Sequence, residues 1–258
     1  MNIRSISIAG AVLLMSAGAG FAEDWPQSPF DRIQSPQGRA QNPQVQAESS
    51  QDPQDWTQNL YAHVDAGYLY QEDTTLNYSA SSGTSTTSVN GTATFNPGFR
   101  GDAAFGYKIN KLWAVEFDTG VLWNSMDQFN GNSLSSANQS FDTYTIPILA
   151  NVIYKVPLKG PWVSYVGVGV GGAASILSYS ASGYNFGDQT FVFGYQAKAG
   201  LQYNLTPNAS IDLTYEFFGM TNPSWHFNQT IGITTTDYQF NESGFYTHSI
   251  VVSFTWNF

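Results

Sequence analysis

From residue 59 onward, apolar and polar side chains alternate with a period of two. Over residues 60–70 one face carries Leu60, Ala62, Val64, Ala66, Tyr68 and Tyr70, and the other Tyr61, His63, Asp65, Gly67 and Leu69. Residues 113–123 divide the same way, with Trp113, Val115, Phe117, Thr119, Val121 and Trp123 against Ala114, Glu116, Asp118, Gly120 and Leu122. Residues 193–203 repeat the division. Successive side chains of a strand point to opposite faces, so each segment is a strand with one apolar and one polar face. Such runs exceed the usual globular strand of about five or six residues and match the roughly ten that a tilted strand needs to cross a bilayer.

Eight segments carry the pattern: 59–70, 95–108, 112–123, 143–156, 162–176, 191–204, 209–219 and 245–258. Their connections alternate in length. Residues 71–94, 124–142, 177–190 and 220–244 are long and rich in Ser, Thr, Asn and Gly, whereas 109–111, 157–161 and 205–208 are short. Long loops at one end and tight turns at the other predict an all-β fold: an eight-stranded antiparallel up-and-down transmembrane β-barrel with both termini periplasmic. Residues 160–187 hold no charge and are long enough for a membrane helix. The alternation of Val166, Val168 and Val170 with Gly167 and Gly169, after Pro161, favours strands, with the glycines relieving crowding inside a narrow lumen.

The polar faces carry Asp65, Arg100, Asp102, Glu116, Asp118, Lys198, Asp212 and Glu216, while the apolar faces are aromatic at their ends. Trp113, Trp162, Tyr203 and Trp256 fall toward the short turns, and Tyr68, Tyr70, Trp123 and Phe193 toward the long loops. Two aromatic belts around an aliphatic band fit the two lipid interfaces. Composition agrees: 42% of residues are apolar, 16% aromatic and only 11% charged, which excludes a helical bundle. With 9 basic against 19 acidic residues and no clustered positive charge, a nucleic-acid partner is excluded. The absence of Cys removes thiolate metal sites and cysteine nucleophiles.

The first residues form a separate unit. Arg4, the apolar run 6–15 and the small residues near Ala22 make 1–22 a secretory signal peptide. Residues 23–58 hold five of the eleven prolines and nine glutamines, and they bury too little apolar area to offset ordering entropy. They are expected to form a disordered periplasmic leader before a barrel spanning 59–258.

Arg100, Asp102, Glu116, Asp118, Lys198, Asp212 and Glu216 are expected to meet as an ion-pair cluster that plugs the lumen, because an eight-stranded interior is about wide enough for its own side chains. A first turn centred near Asn110 sets Asp102 opposite Asp118, with Arg100 one diagonal step away. A third turn near Thr206 and Pro207 sets Lys198 opposite Glu216, with Asp212 lower on the same strand. His63, His226 and His248 lie outside any metal-ligand spacing and read as solvated side chains. No His-X-Ser pair exists for acyl-ester attack, so no enzyme and no cofactor are expected. No Lys or Arg lies in a long loop, whereas Lys108, Lys111, Lys155 and Lys159 sit at or beside the short turns.

Ile250, Val252, Phe254, Trp256 and Phe258 occupy alternate positions up to the end of the chain. This resembles the terminal-strand signal read by the bacterial barrel-assembly machinery. Residues 59–258 resemble the eight-stranded outer-membrane protein A-like and opacity-protein-like porin family, through Pro97-Gly98-Phe99-Arg100-Gly101-Asp102, Phe105-Gly106-Tyr107, Leu112-Trp113-Ala114-Val115-Glu116, Pro147-Ile148-Leu149-Ala150-Asn151-Val152, Tyr165-Val166-Gly167-Val168-Gly169 and Tyr195-Gln196-Ala197-Lys198-Ala199-Gly200. The expectation is a monomeric protein of the bacterial outer membrane with a structural, surface-antigen or small-pore role. Its partners would be the lipid bilayer, lipopolysaccharide and the assembly machinery. A conducting porin and a lipid A-modifying enzyme are the alternatives.

Overall fold

The structure is a computed structural model describing residues 56–181, 184–231 and 233–258. The expected signal peptide and leader lie outside these residues, apart from 56–58, which instead open a 3-10 turn, Trp56–Asn59, leading into the first strand.

Among the described residues thirteen strands form: β1 (Leu60–Gln71), β2 (Thr74–Ser82), β3 (Ser85–Phe95), β4 (Gly98–Lys108), β5 (Trp113–Phe129), β6 (Asn132–Ser133), β7 (Gln139–Pro157), β8 (Trp162–Ala181), β9 (Tyr184–Asn204), β10 (Ala209–Met220), β11 (Ser224–Ile231), β12 (Thr234–Ser243) and β13 (Tyr246–Asn257). Eight of them close a ring in the order β1-β4-β5-β7-β8-β9-β10-β13, with all neighbours antiparallel. The ring shuts where β1 meets β13, from Tyr61 opposite Asn257 to Gln71 opposite Thr247. Closure leaves the ring without an edge strand. Of residues 160–187, 162–181 form β8 and 184–187 open β9, and no described helix is long and apolar enough to cross a membrane.

The remaining strands correct the reading of 71–94 and 220–244 as loops. β11, β12, β2 and β3 form a second antiparallel sheet at the loop end, and β3 joins it to β5 by pairing Ala93 with Phe129. Short polar side chains rich in Thr mask the strand pattern here, because a sheet raised above a barrel needs no continuous apolar face. β5 turns into β6 through Asn130 and Gly131, at φ 51° and 76°. Asn-Gly is the pair that accepts two consecutive positive φ values at least cost.

Alternation sets the two faces of the ring. Tyr61, Asp65 and Leu69 are buried inside while Val64, Tyr68 and Tyr70 face outward. The outward rings pair along neighbouring strands, as Trp113 does with Tyr154 and Trp162 with Tyr203, each at 4.8 Å between centroids. On β8 the inward positions 167, 169 and 171 are glycine. A Cβ at Gly167 would lie 3.0 Å from Lys198 Cγ, and one at Gly169 would strike the Asn151 amide, so these glycines make space for long side chains from both neighbours.

Candidate functional site

The lumen is built in layers. Nearest the short turns lie Tyr61, Ala114 and Ile153, with Tyr165 against them. Above them comes the charged layer, then an apolar one of Leu69, Leu122, Leu149, Ala173, Phe218, Met220 and Phe245. Each step up is two residues along a strand, as from Ala114 through Glu116 and Asp118 to Leu122, so the period-two pattern places the layers directly.

The charged layer centres on two cations. Arg100, buried on β4, bonds through Nε to Asp102, while its Nη2 lies 2.7 Å from Glu216 of β10 and donates to Gln196 of β9 at 3.0 Å. Lys198 of β9 holds Asp118 at 2.9 Å and Glu116 at 3.0 Å on β5, with Glu216 at 3.6 Å. Gln196 also donates to Asp118 at 2.9 Å and to Asn151 at 2.7 Å. Six of the seven residues expected to cluster are therefore brought together. Asp212 is not. Its carboxylate accepts from Thr255 at 2.9 Å nearer the turns, where neither cation reaches it.

The first-turn register differs from expectation by two residues. Asp102 stands opposite Gly120, and Asp118 opposite Ala104. The cause is local: Asn110 Oδ1 accepts from the amides of Leu112 and Trp113, at 2.8 and 2.9 Å, while Ile109 and Asn110 donate to the Trp113 carbonyl. The turn thus centres on Lys111. Gly120 then matters, because a Cβ there would strike the Asp102 carboxylate. The third turn does set Lys198 opposite Glu216.

Several members of the layer escaped the sequence reading. Tyr61 donates to Glu116 at 3.0 Å. His63, read as solvated, lies between Glu116 at 3.5 Å and Asp65 at 3.6 Å. Their positions on the polar face of β1 were visible, but their heights relative to β5 depend on register. Gln196 and Asn151 carry no charge and gave no signal. His248 stands at the loop end within 2.7 Å of Glu72 and 2.6 Å of the Tyr215 hydroxyl. Among the described residues no three His, Asp or Glu side chains are grouped to hold a metal.

Ile250, Val252, Phe254, Trp256 and Phe258 all point outward on β13 and after it, alternating with buried Val251, Ser253 and Thr255. An apolar exterior around a closed, polar and charged interior defines a β-barrel that sits in a lipid bilayer. Residues 57–258 match the family described as outer membrane protein beta-barrel domain, and the chain belongs to that family, whose setting is the bacterial outer membrane. Among solved structures, a major outer membrane protein from Thermus thermophilus is 13% identical with a TM-score of 0.52, over 77% of this chain and 99% of that one. OprG from Pseudomonas aeruginosa is 12% identical (TM-score 0.49, 77% and 96% covered), and Neisserial surface protein A is 18% identical (0.43, 78% and 97%). The Thermus likeness carries the fold and nothing finer. No curated protein matches the chain in sequence.

Proposed function

We propose that this chain is a non-enzymatic outer-membrane barrel whose lumen is plugged by its ion pairs and whose work is done at the cell surface, as a structural or surface-antigen protein. The observation that carries this reading is the pair of ties across the barrel, Arg100 to Glu216 and Lys198 to Asp118, sealed above by the apolar layer around Leu122 and Phe218. Charges held without water are stable only while paired, so opening a path would mean breaking them. Both termini lie on the periplasmic side, which puts the sheet of β2, β3, β11 and β12 outside the cell. The terminal strand addresses the barrel to the assembly machinery. The acidic loop end suits lipopolysaccharide bridged through divalent cations.

The test is a planar-bilayer recording of the purified full-length protein. The unmodified barrel is expected to give no steady current, and the Arg100→Ala/Lys198→Ala pair to give openings. A large steady conductance that neither substitution alters would overturn the plug and favour a conducting porin. Lipid A mass spectra of cells with and without the protein are expected to be identical, and a difference would restore the enzyme reading.

A further inference from the structure

At the loop end, the second sheet and the upper reaches of β5, β7, β8 and β9 line an open-mouthed pocket of about 520 Å³. Aromatic rings from seven strands line it, among them Tyr78, Phe141, Tyr179, Phe227, Tyr238 and Phe240. The rings support one another, with Phe227 stacked at 5.3 Å on Tyr238 and 5.4 Å on Phe240, and Tyr78 at 5.0 Å from Phe240. Behind them buried Trp225 donates its indole N–H to the Ser175 carbonyl at 3.1 Å. The wall is thus held from several sides. A space of this size inside an apolar wall falls within the range of about 300–1,000 Å³ usual for small-molecule sites.

The charges around it select the ligand. Apart from the tyrosine hydroxyls, the only polar side chains among the described lining residues are the amides of Gln139 and Gln229. Every Lys and Arg of residues 56–258 is Arg100, Lys108, Lys111, Lys155, Lys159 or Lys198. None lines the pocket: Lys155 sits at the turn end of β7, and Lys198 lies on β9 in the charged layer below. The loop-end parts of the lining strands carry Asp127, Asp142, Asp188, Asp237 and Glu242, none of them on the pocket wall. An anionic group seated against this wall would give up part of its hydration without a cation to meet it, and an ammonium would find no carboxylate on the lining. The apolar layer of Leu69, Leu122 and Phe218 separates the pocket from the charged layer beneath.

From this we infer that the pocket is a binding site for an uncharged, apolar small molecule and rejects acids of the same skeleton. It is independent of the plug: the lumen is tested by current and the pocket by ligand, so either reading can fail alone.

The experiment titrates the full-length barrel in nanodiscs with N-phenyl-1-naphthylamine, which is neutral, and with its sulfonated analogue 8-anilinonaphthalene-1-sulfonate. Empty nanodiscs provide the background. The neutral dye is expected to show saturable fluorescence at about one site per barrel, with the sulfonate at least roughly tenfold weaker. Naphthalene should displace the neutral dye and 2-naphthoate should not, a comparison that needs no variant. Phe227→Asp places a charge on the wall and Leu134→Trp fills the space, and each should weaken the neutral dye at least about tenfold while the barrel keeps its folded gel mobility. No saturable component, equal or tighter binding of the sulfonate, displacement by naphthoate, or binding untouched by Leu134→Trp would each overturn the inference.

Discussion

Lys198 faces Glu216 in the β9–β10 ladder, yet its ammonium lies 2.9 Å from Asp118 of β5 and 3.6 Å from Glu216. The lysine stem crosses the narrow lumen and leaves its ladder partner to Arg100, at 2.7 Å. The two cations thereby tie strands that are three places apart in the ring.

Removing one partner should therefore cost more than a surface ion pair. Lys198→Met leaves Glu116 and Asp118 buried without their cation, for an expected loss of about 3–5 kcal/mol. Urea unfolding followed by the shift between folded and unfolded gel mobility measures it. Adding Glu116→Gln and Asp118→Asn to the same chain should return much of the loss.

The pleat makes neighbouring positions on β8 behave oppositely. Gly169→Leu places a side chain against Asn151 and should destabilise the barrel by about 1–3 kcal/mol in the same assay. Val168→Leu faces outward and should leave stability almost unchanged.

Glu242, on β12 of the loop-end sheet, is buried and accepts from Gln71 at 2.9 Å and Thr74 at 3.0 Å. Burial away from any cation pushes its carboxyl up from 4.5 to about 7, the two hydrogen bonds opposing that rise. The folded sheet thus binds the proton more tightly than the unfolded segment does. Its stabilisation is complete below about pH 4.5, falls by about 3 kcal/mol as pH rises to about 7, and is level above that. Amide hydrogen exchange of β2 and β12 across this range should show the decline, and Glu242→Gln should abolish it.

Orientation can be read by cleavage. A broad-specificity protease added to intact cells should cut at the hairpin tips near Gly83 and the fully exposed Ile233, not within the paired strands, and should spare residues 23–55. Cleavage confined to the leader would reverse the orientation.

Phe258→Asp should reduce the amount of folded protein reaching the outer membrane, because the last aromatic of the outward row on β13 would be lost. Unchanged levels of heat-modifiable protein in the membrane fraction would remove that role.

Local alternation alone determined the barrel. Leu60 to Tyr70 and Trp113 to Trp123 declare their two faces through the pleat, so strand number, antiparallel order and inward or outward direction were legible residue by residue. The height at which inward residues meet was not, since it depends on how each turn closes. Asn110 bonding to Leu112 and Trp113 moved Asp102 from Asp118 to Gly120, two residues along the ladder. The sheet of β2, β3, β11 and β12 was hidden for a different reason. Its Thr- and Ser-rich strands lack an apolar alternation, and β12 pairs with β2 across as many as 168 residues, from Ser243 to Thr75, a partnership no local pattern announces. The aromatic pocket follows from the same long-range contacts: Tyr78 meets Phe240 through the pairing of β2 with β12, and Phe141 reaches Phe240 from β7 of the ring.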